Sequence, residues 1–143
     1  LCENNQAGMF VTAWMGILEI DSGMFTFVNA GHNPPLLKRK GEGFTYLKSR
    51  AGFVLAGMEG IRYRQNQIQL NQGDLLYLYT DGVTEATDIY NELYGEKRLQ
   101  EILDNNAGLP LEEILKNIKQ SIDLFVKGAP QFDDITMLAL ERV

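Results

Sequence analysis

The order of the hydrophobic patterns along this chain constrains its fold more than any other feature. Most of the first 80 residues form short apolar segments, rich in β-branched and aromatic side chains and separated by turn residues, which is typical of strands. The predicted strands are 9–21, 24–30, 36–40, 44–47, 53–55, 61–71, 75–80 and 133–140. Two segments with a 3.6-residue period, 95–105 and 110–127, predict helices before the last strand. This order favours an α+β fold of antiparallel sheets with helices packed on a face.

The same patterns predict which side chains are buried. The segment 9–21 is apolar along its length and predicts a mostly buried strand, and so does the continuous run LLYLYT at 75–80. Within 61–71 the apolar residues alternate, and the expected inward set is Ile61, Tyr63, Ile68 and Leu70. The expected helical stripes are Leu99, Ile102 and Leu103, then Leu111, Ile114, Leu115, Ile118, Ile122 and Phe125.

Length and charge limit the class of protein. With 143 residues we expect a single domain over 1–143. Its 13 basic and 19 acidic residues give 13 − 19 = −6, which argues against a nucleic-acid partner and against a polybasic membrane patch. No apolar run approaches the ~20 residues that span a bilayer, so no membrane contact is expected from this segment. The start, Leu1-Cys2-Glu3, lacks a signal sequence, so we expect an excised piece of a soluble, cytoplasmic protein.

The nucleophiles of common hydrolases are poorly represented. Cys2 is the one cysteine, so it forms no internal disulfide or redox pair and is interpreted as structural or incidental. His32 is the one histidine, and in its Gly-His-Asn-Pro-Pro segment a structural loop residue is favoured over a ligand. The sequence contains no Gly-x-Ser-x-Gly elbow, no His-Glu-x-x-His and no Walker phosphate loop.

Three aspartates stand out by position. Asp81 follows the predicted strand 75–80 and precedes Gly82, while Asp133 and Asp134 open the predicted last strand. If those strands are antiparallel neighbours, Asp81 and Asp133 meet at one rim of the sheet. Carboxylates drawn together repel unless a cation lies between them, and oxygen ligands suit Mg²⁺ or Mn²⁺. Spacing alone leaves a second interpretation open, in which Asp-Gly is a turn and the Asp pair a cap or solvated corner.

Four blocks of sequence carry a family resemblance. They are MFVTAWMGILEIDSGMFTFVNAGHNPP at 9–35, GDLLYLYTDGVTEA at 73–86, YGEKRL at 94–99 and FDDITMLAL at 132–140. Together and in this order they resemble the bacterial stage-II-sporulation-E/RsbU-type (SpoIIE/RsbU) branch of the metal-dependent PP2C (PPM) phosphatases. The resemblance implies a Ser/Thr protein phosphatase with a two-metal site between two antiparallel sheets flanked by helices, a PP2C-like β-sandwich. It also implies a phosphoprotein substrate, in many members a phosphorylated STAS-type anti-sigma-factor antagonist.

The resemblance also assigns roles to individual residues. Asp81 and Asp133 match metal-binding aspartates of the family, and Asp134 occupies the adjoining position, where a supporting role is expected. His32 stands where eukaryotic-type members of the family carry an aspartate near the metals, a replacement that is usual in this branch, and it is not expected to be a ligand. The resemblance implies Mn²⁺ or Mg²⁺ as cofactor and a metal-activated water as nucleophile, so no catalytic side chain is expected.

The chain departs from the family pattern at its beginning. Residues 1–8 offer no upstream Asp-Gly block, whose aspartate bridges both metals in the family, so the N-terminal strands and helix are expected to be missing. We therefore expect this chain alone to be a poor catalyst or none. An unpaired sheet edge would invite association with a second copy, a homo-oligomer. A non-catalytic regulatory or binding module on a degenerate fold is the alternative.

Overall fold

The computed structural model describes residues 2–3, 5–50, 52–131 and 133–143, so Phe132 of the FDDITMLAL block lies outside the described residues. Its strands are β1 (Ala13–Leu18), β2 (Met24–Ala30), β3 (Leu36–Lys38), β4 (Phe44–Tyr46), β5 (Asn66–Gln69), β6 (Leu75–Tyr79) and β7 (Met137–Glu141). Its helices are α1 (Asp81–Thr84), α2 (Gly95–Asn106) and α3 (Leu111–Val126). Every strand pair is antiparallel, so the predicted α+β fold with antiparallel sheets and helices is confirmed.

The chain divides into two compact units, which are described separately. The first lies within residues 1–34 and 48–71 and contains a sheet in the order β1-β2-β5. Its core is aromatic: Trp14 of β1 stacks on Phe25 and Phe27 of β2, at ring-centroid distances of 5.6 and 5.2 Å. Gly16 lies on the same face, where a Cβ atom would come within 2.4 Å of the Phe25 ring, so a glycine leaves room for that ring.

The first unit corrects several sequence predictions. The strand predicted at 9–21 is regular only over Ala13–Leu18, and it is not mostly buried, since Met15 and Ile17 are 67% and 60% exposed. The apolar run predicts a mostly buried strand, but β1 is an edge strand whose packing face carries Trp14. The strand predicted at 53–55 reduces to one bridge from Leu55 to Val11.

The strand predicted at 61–71 is regular only over Asn66–Gln69. Its expected inward set is less exposed than the neighbouring residues, and Leu70 is fully buried. The alternation therefore indicated the packed side correctly, although backbone pairing to β2 covers only part of the segment.

The second unit lies within residues 35–47 and 72–143 and contains a sheet in the order β4-β3-β6-β7. As predicted, β6 is a buried strand, with Leu75, Leu76, Tyr77 and Tyr79 all buried. It lies between β3 and β7, which supply hydrogen-bonding partners on both sides. The two-sided burial follows from this central position in the sheet.

Helices α2 and α3 begin and end within one residue of the predicted bounds. Ile114, Ile118 and Ile122 follow one another at four-residue spacing on α3 and are fully buried, while Leu99 and Leu103 are buried on α2. Each such side chain contributes about 1.5–3 kcal/mol when it leaves water. They join Phe44, Leu75, Tyr77 and Tyr79 in one core cluster, so the amphipathic helices cover this sheet.

Side-chain hydrogen bonds fix α2 against β4. The Phe44 amide donates to Asp104 Oδ1 at 2.6 Å, and Gln100 Nε2 donates to the Phe44 carbonyl at 2.7 Å. Both unpaired backbone groups of Phe44 are thus satisfied by one helix, which sets the position of α2 along the sheet. None of the helices in the described residues is long and apolar enough to cross a membrane. The single-domain prediction for 1–143 stays a prediction.

Candidate metal centre

The pairing of β6 with β7 brings the predicted aspartates to one end of the sheet. The register runs from Leu75 opposite Glu141 to Tyr79 opposite Met137, and the Thr80 amide continues it by donating to the Thr136 carbonyl at 3.0 Å. The predicted antiparallel neighbourhood of these strands is therefore confirmed. β7 begins at Met137 rather than 133, so Asp133 and Asp134 lie in the segment leading into the strand.

Thr80 fastens the two segments together beyond the ladder. Its hydroxyl donates to the Asp134 carbonyl at 2.9 Å and accepts from the Thr136 amide at 3.0 Å. One side chain thus satisfies two backbone groups 54 and 56 positions away in sequence. The sequence does not indicate this role of Thr80, because a threonine at the end of a strand carries no signal of which distant backbone it will bind.

Gly82 allows the closest approach at this end of the sheet. A Cβ atom there would lie 2.5 Å from the Asp134 carbonyl oxygen and 3.3 Å from that of Asp133. Any larger residue would push the two segments apart, since backbone atoms cannot move aside as a flexible side chain can. The glycine in Asp81-Gly82 therefore has a packing role that a turn alone would not require.

The three carboxylates differ in their local hydrogen bonds. Asp81 opens the short helix α1, and its Oδ1 accepts from the Gly82 amide at 3.0 Å. Asp133 Oδ1 accepts from the Asp134 amide at 2.7 Å. Asp81, Asp133 and Asp134 are all exposed, and none of them appears in an ion pair among the described residues.

This donor set fits part of a site for a hard divalent cation. Its oxygens are accessible, anionic and uncompensated by a basic side chain, which is the ligand type that Mg²⁺ and Mn²⁺ prefer. The described residues contain no group of three or more His, Cys, Asp or Glu side chains placed to hold a metal ion. The metal-binding roles of Asp81, Asp133 and Asp134 therefore remain predictions.

Cys2 and His32 belong to the first unit, outside the residue ranges that contain the three aspartates. The His32 amide donates to Asn29 Oδ1 at 2.8 Å, and Asn29 Nδ2 donates to the His32 carbonyl at 2.9 Å. Asn29 is only 4% exposed, so this reciprocal pair closes the Gly-His-Asn loop. His32 thus occupies a structural position in that loop.

Two buried tyrosines, Tyr77 and Tyr79, lie on β6, the strand that ends just before Asp81, and Tyr46 lies on β4. Burial raises the pKa of Tyr79 to about 12, an effect opposed by a hydrogen bond with Tyr46. Burial also raises the pKa of Tyr77 and of Tyr46, with the neighbouring Tyr79 as the next cause in each case. These phenols therefore hold their protons at neutral pH, which leaves them unsuited to act as bases or nucleophiles.

Comparison with known proteins gives a family match over the whole chain. The family model described as Stage II sporulation protein E (SpoIIE) matches residues 1–143. Protein IcfG of Synechocystis sp. is 34% identical over 140 residues, covering 98% of this chain and 22% of that protein. Phosphoserine phosphatase RsbU of Bacillus subtilis is 29% identical over 140 residues, covering 98% of this chain and 41% of that protein. The chain thus spans less than half the length of these curated relatives.

Solved structures share the fold. The SiaA-PP2C domain of Pseudomonas aeruginosa superimposes with a TM-score of 0.70 and 26% identity, over 83% of this chain and 46% of that one. The catalytic domain of the serine/threonine protein phosphatase PstP, solved with two manganese ions, matches with a TM-score of 0.65 over 96% of this chain and 60% of that one. At 17% identity the PstP match establishes the likeness of fold alone.

Proposed function

This chain belongs to the Stage II sporulation protein E (SpoIIE) family, and on that premise we propose that it forms part of a metal-dependent phosphatase domain acting on phosphoserine or phosphothreonine in proteins. The name of the relative RsbU, a phosphoserine phosphatase, supports the reaction class. The manganese ions in the PstP structure and the oxygen-only donors of this chain support Mn²⁺ or Mg²⁺ as cofactor.

One observation carries the proposal: the β6–β7 register and the Thr80 hydroxyl hold the Asp81 and Asp133 segments side by side. If Asp81 lay only in a turn and Asp133 only in a solvated corner, nothing would require these distant segments to be held together. Here the β6–β7 pairing, the Thr80 hydroxyl and the close approach at Gly82 all hold them. We assign Asp81 and Asp133 as metal ligands and Asp134 as a supporting residue.

The residues of the chain would do two things in the reaction. Asp81 and Asp133 would hold the cation, each with one carboxylate oxygen oriented by a backbone amide. Thr80 and Gly82 would fix the spacing of those two segments. When bound, the metal lowers the pKa of a coordinated water and neutralises charge on the phosphoryl oxygens. The resemblance implies a metal-activated water as nucleophile, so no catalytic side chain is proposed.

The partner is proposed from the resemblance. A phosphorylated STAS-type anti-sigma-factor antagonist in the cytoplasm is the substrate we favour, and the net charge of −6 argues against nucleic acid. We further propose that this chain by itself is a weak catalyst or none. The second candidate function, a non-catalytic binding module, is favoured by one observation, that the described residues hold no three-ligand cluster.

The test is Mn²⁺ binding measured by water proton relaxation, on the chain and on Asp81→Asn and Asp133→Asn, with Glu42→Gln as control. Glu42 is exposed in the turn after β3, near the start of β6 and so at the opposite end of this sheet. We expect each aspartate variant to weaken Mn²⁺ binding at least tenfold, equivalent to about 1.4 kcal/mol. The control should bind as the parent chain does.

Three results would count against the proposal. Equal Mn²⁺ affinity in the parent chain and in Asp81→Asn would show that Asp81 is not a metal ligand. Manganese-dependent release of phosphate from a phosphoserine peptide that persists in Asp81→Asn would show that another site carries the reaction. A parent chain that binds no Mn²⁺ at all would favour the non-catalytic module.

A further inference from the structure

A cavity of about 420 Å³ opens beside the candidate metal centre, within the second unit. Gly82 and Asp133 form part of its wall, so its mouth adjoins the segments that hold the predicted ligands. Much of the rest is apolar, including Ala86, Leu93, Ile122 and Ile135. Its volume is in the range of pockets that enclose a ligand rather than a water molecule.

The charge around this cavity has one sign. Glu85, Asp123 and Asp133 belong to its lining, and no lysine or arginine does among the described residues that form it. Asp123 is already paired with Lys119, whereas Glu85 is exposed and appears in no ion pair within the described part of the chain. An occupant with an apolar group and an adjacent positive charge would therefore complement the cavity, and an anionic occupant would be repelled.

The outer wall of the cavity is held in place before any partner binds. The segment 86–94 closes on itself through the Thr87–Leu93 bridge and the Tyr94 amide, which donates to the Ala86 carbonyl at 2.8 Å. Arg98 donates to the Leu93 carbonyl at 2.9 Å and stacks on the Phe125 ring at 4.7 Å. A preformed wall binds without the entropic cost of ordering a loop.

We infer that this cavity is the docking site for the phosphoprotein substrate, receiving an apolar side chain that lies beside a lysine or arginine within a few residues of the phosphorylated serine or threonine. This inference rests on the proposed function for the identity of the partner. The apolar side chain would pack against Leu93, Ile122 and Ile135, and the cation would pair with Glu85. Leu93 is 54% exposed, so part of this apolar surface is open to a partner.

The test uses two fluorescein-labelled phosphoserine peptides and the full 143-residue chain. One peptide carries leucine and arginine next to the phosphoserine, and the other carries glycine and glutamine there. Binding is measured by fluorescence anisotropy for the parent chain, Ala129→Phe, which fills the cavity, and Glu85→Lys, which reverses its charge. Glu42→Lys is the matched charge control, because Glu42 lies at the other end of the sheet.

We expect the leucine-arginine peptide to bind the parent chain at least fivefold more tightly than the other peptide. Ala129→Phe and Glu85→Lys should each remove most of that difference, and Glu42→Lys should leave it within twofold. Equal binding of both peptides, or a difference that survives both cavity variants, would overturn the inference. The inference would also be overturned if light scattering showed that the parent chain is a dimer and that Ala129→Phe is a monomer. The cavity would then hold a second copy of the chain.

Two further measurements keep the test independent. If circular dichroism shows that Ala129→Phe does not fold, the parent chain is titrated with the leucine-arginine peptide instead and its backbone amide NMR shifts are followed. Shifts that leave Ala86, Leu93 and Ile135 unchanged would overturn the inference. The unphosphorylated leucine-arginine peptide is titrated in EDTA, where docking should persist with a weaker affinity. If the chain prefers the leucine-arginine peptide but does not bind Mn²⁺, only the phosphatase proposal is refuted. If it binds Mn²⁺ but binds both peptides equally, only the docking inference is refuted.

Discussion

The close contact at Gly82 makes Gly82→Ala the most informative single substitution in this chain. The added Cβ would meet the Asp134 carbonyl oxygen at 2.5 Å and the Asp134 carbonyl carbon at 3.0 Å, both backbone atoms. The clash can be relieved only by moving the Asp133–Asp134 segment away from Asp81. That movement breaks or stretches the bond from the Thr80 hydroxyl to the Asp134 carbonyl, 2.9 Å long in the parent chain.

The size of the effect follows from three contributions. Overpacking a filled site costs about 1–3 kcal/mol, and losing one hydrogen bond costs about 0.5–1.5 kcal/mol. Alanine is better than glycine inside a helix by about 1 kcal/mol, which opposes both losses because Gly82 lies in α1. The centres of these ranges give a net loss of about 2 kcal/mol in the free energy of unfolding.

Urea unfolding followed by circular dichroism measures this loss, with Gly108→Ala as the matched control. A Cβ atom at Gly108 meets nothing within 4 Å, so that variant should be neutral or more stable by about 0.4–1 kcal/mol. The Mn²⁺ affinity of Gly82→Ala should fall as well, since the two assigned ligands move apart. A Gly82→Ala chain with unchanged stability and unchanged Mn²⁺ affinity would refute the reasoning.

Three other predictions concern separate parts of the chain. Thr80→Val should lower the free energy of unfolding by about 1 kcal/mol in urea titrations, and Thr80→Ser should restore most of it, because serine keeps the hydroxyl that bridges Asp134 and Thr136. The pKa of Tyr79 is about 12 in the folded chain against 10.0 in the unfolded one, so the folded state keeps a proton that the unfolded state releases between these values. Stability should therefore fall as pH rises from 10 to 12, and Tyr79→Phe, compared with the exposed Tyr90→Phe, should flatten that fall in alkaline urea titrations. The edge strand β1 should mediate self-association, so light scattering should show Ile17→Lys shifted to monomer, and a parent chain that is monomeric at every concentration would contradict this.

Sequence periodicity predicted the second unit closely. The isoleucines of α3 repeat at a helical period and pack on one sheet. The helix face that the hydrophobic period predicts is therefore the face that is buried. The central strand β6 was equally readable, because burial on both faces leaves a continuous apolar run. The rim position of Asp81 and Asp133 followed from antiparallel pairing alone.

The first unit was less predictable because its strands pack on one face. Met15 and Ile17 carry the same apolar signal as a buried residue although they are exposed, so periodicity could not separate an edge strand from a central one. The short helix α1 and the Thr80 clamp were also missed. The Thr80 clamp depends on contacts with residues 134 and 136, which no local window of sequence contains, and α1 has only four residues, too few for a periodic pattern.

The hydrogen bonds from Thr80 to residues 134 and 136 have a consequence for the order of events on the ribosome. Asp81 emerges during synthesis well before Asp133, and the strand that aligns them, β7, is the last element of the structure. The first unit ends at residue 71, well before β7 is translated. A nascent chain that stops before β7 would carry Asp81 without the strand that brings Asp133 beside it. The assigned ligands therefore come together only in chains whose translation has passed β7, so cation binding at this site would have to follow the synthesis of that strand.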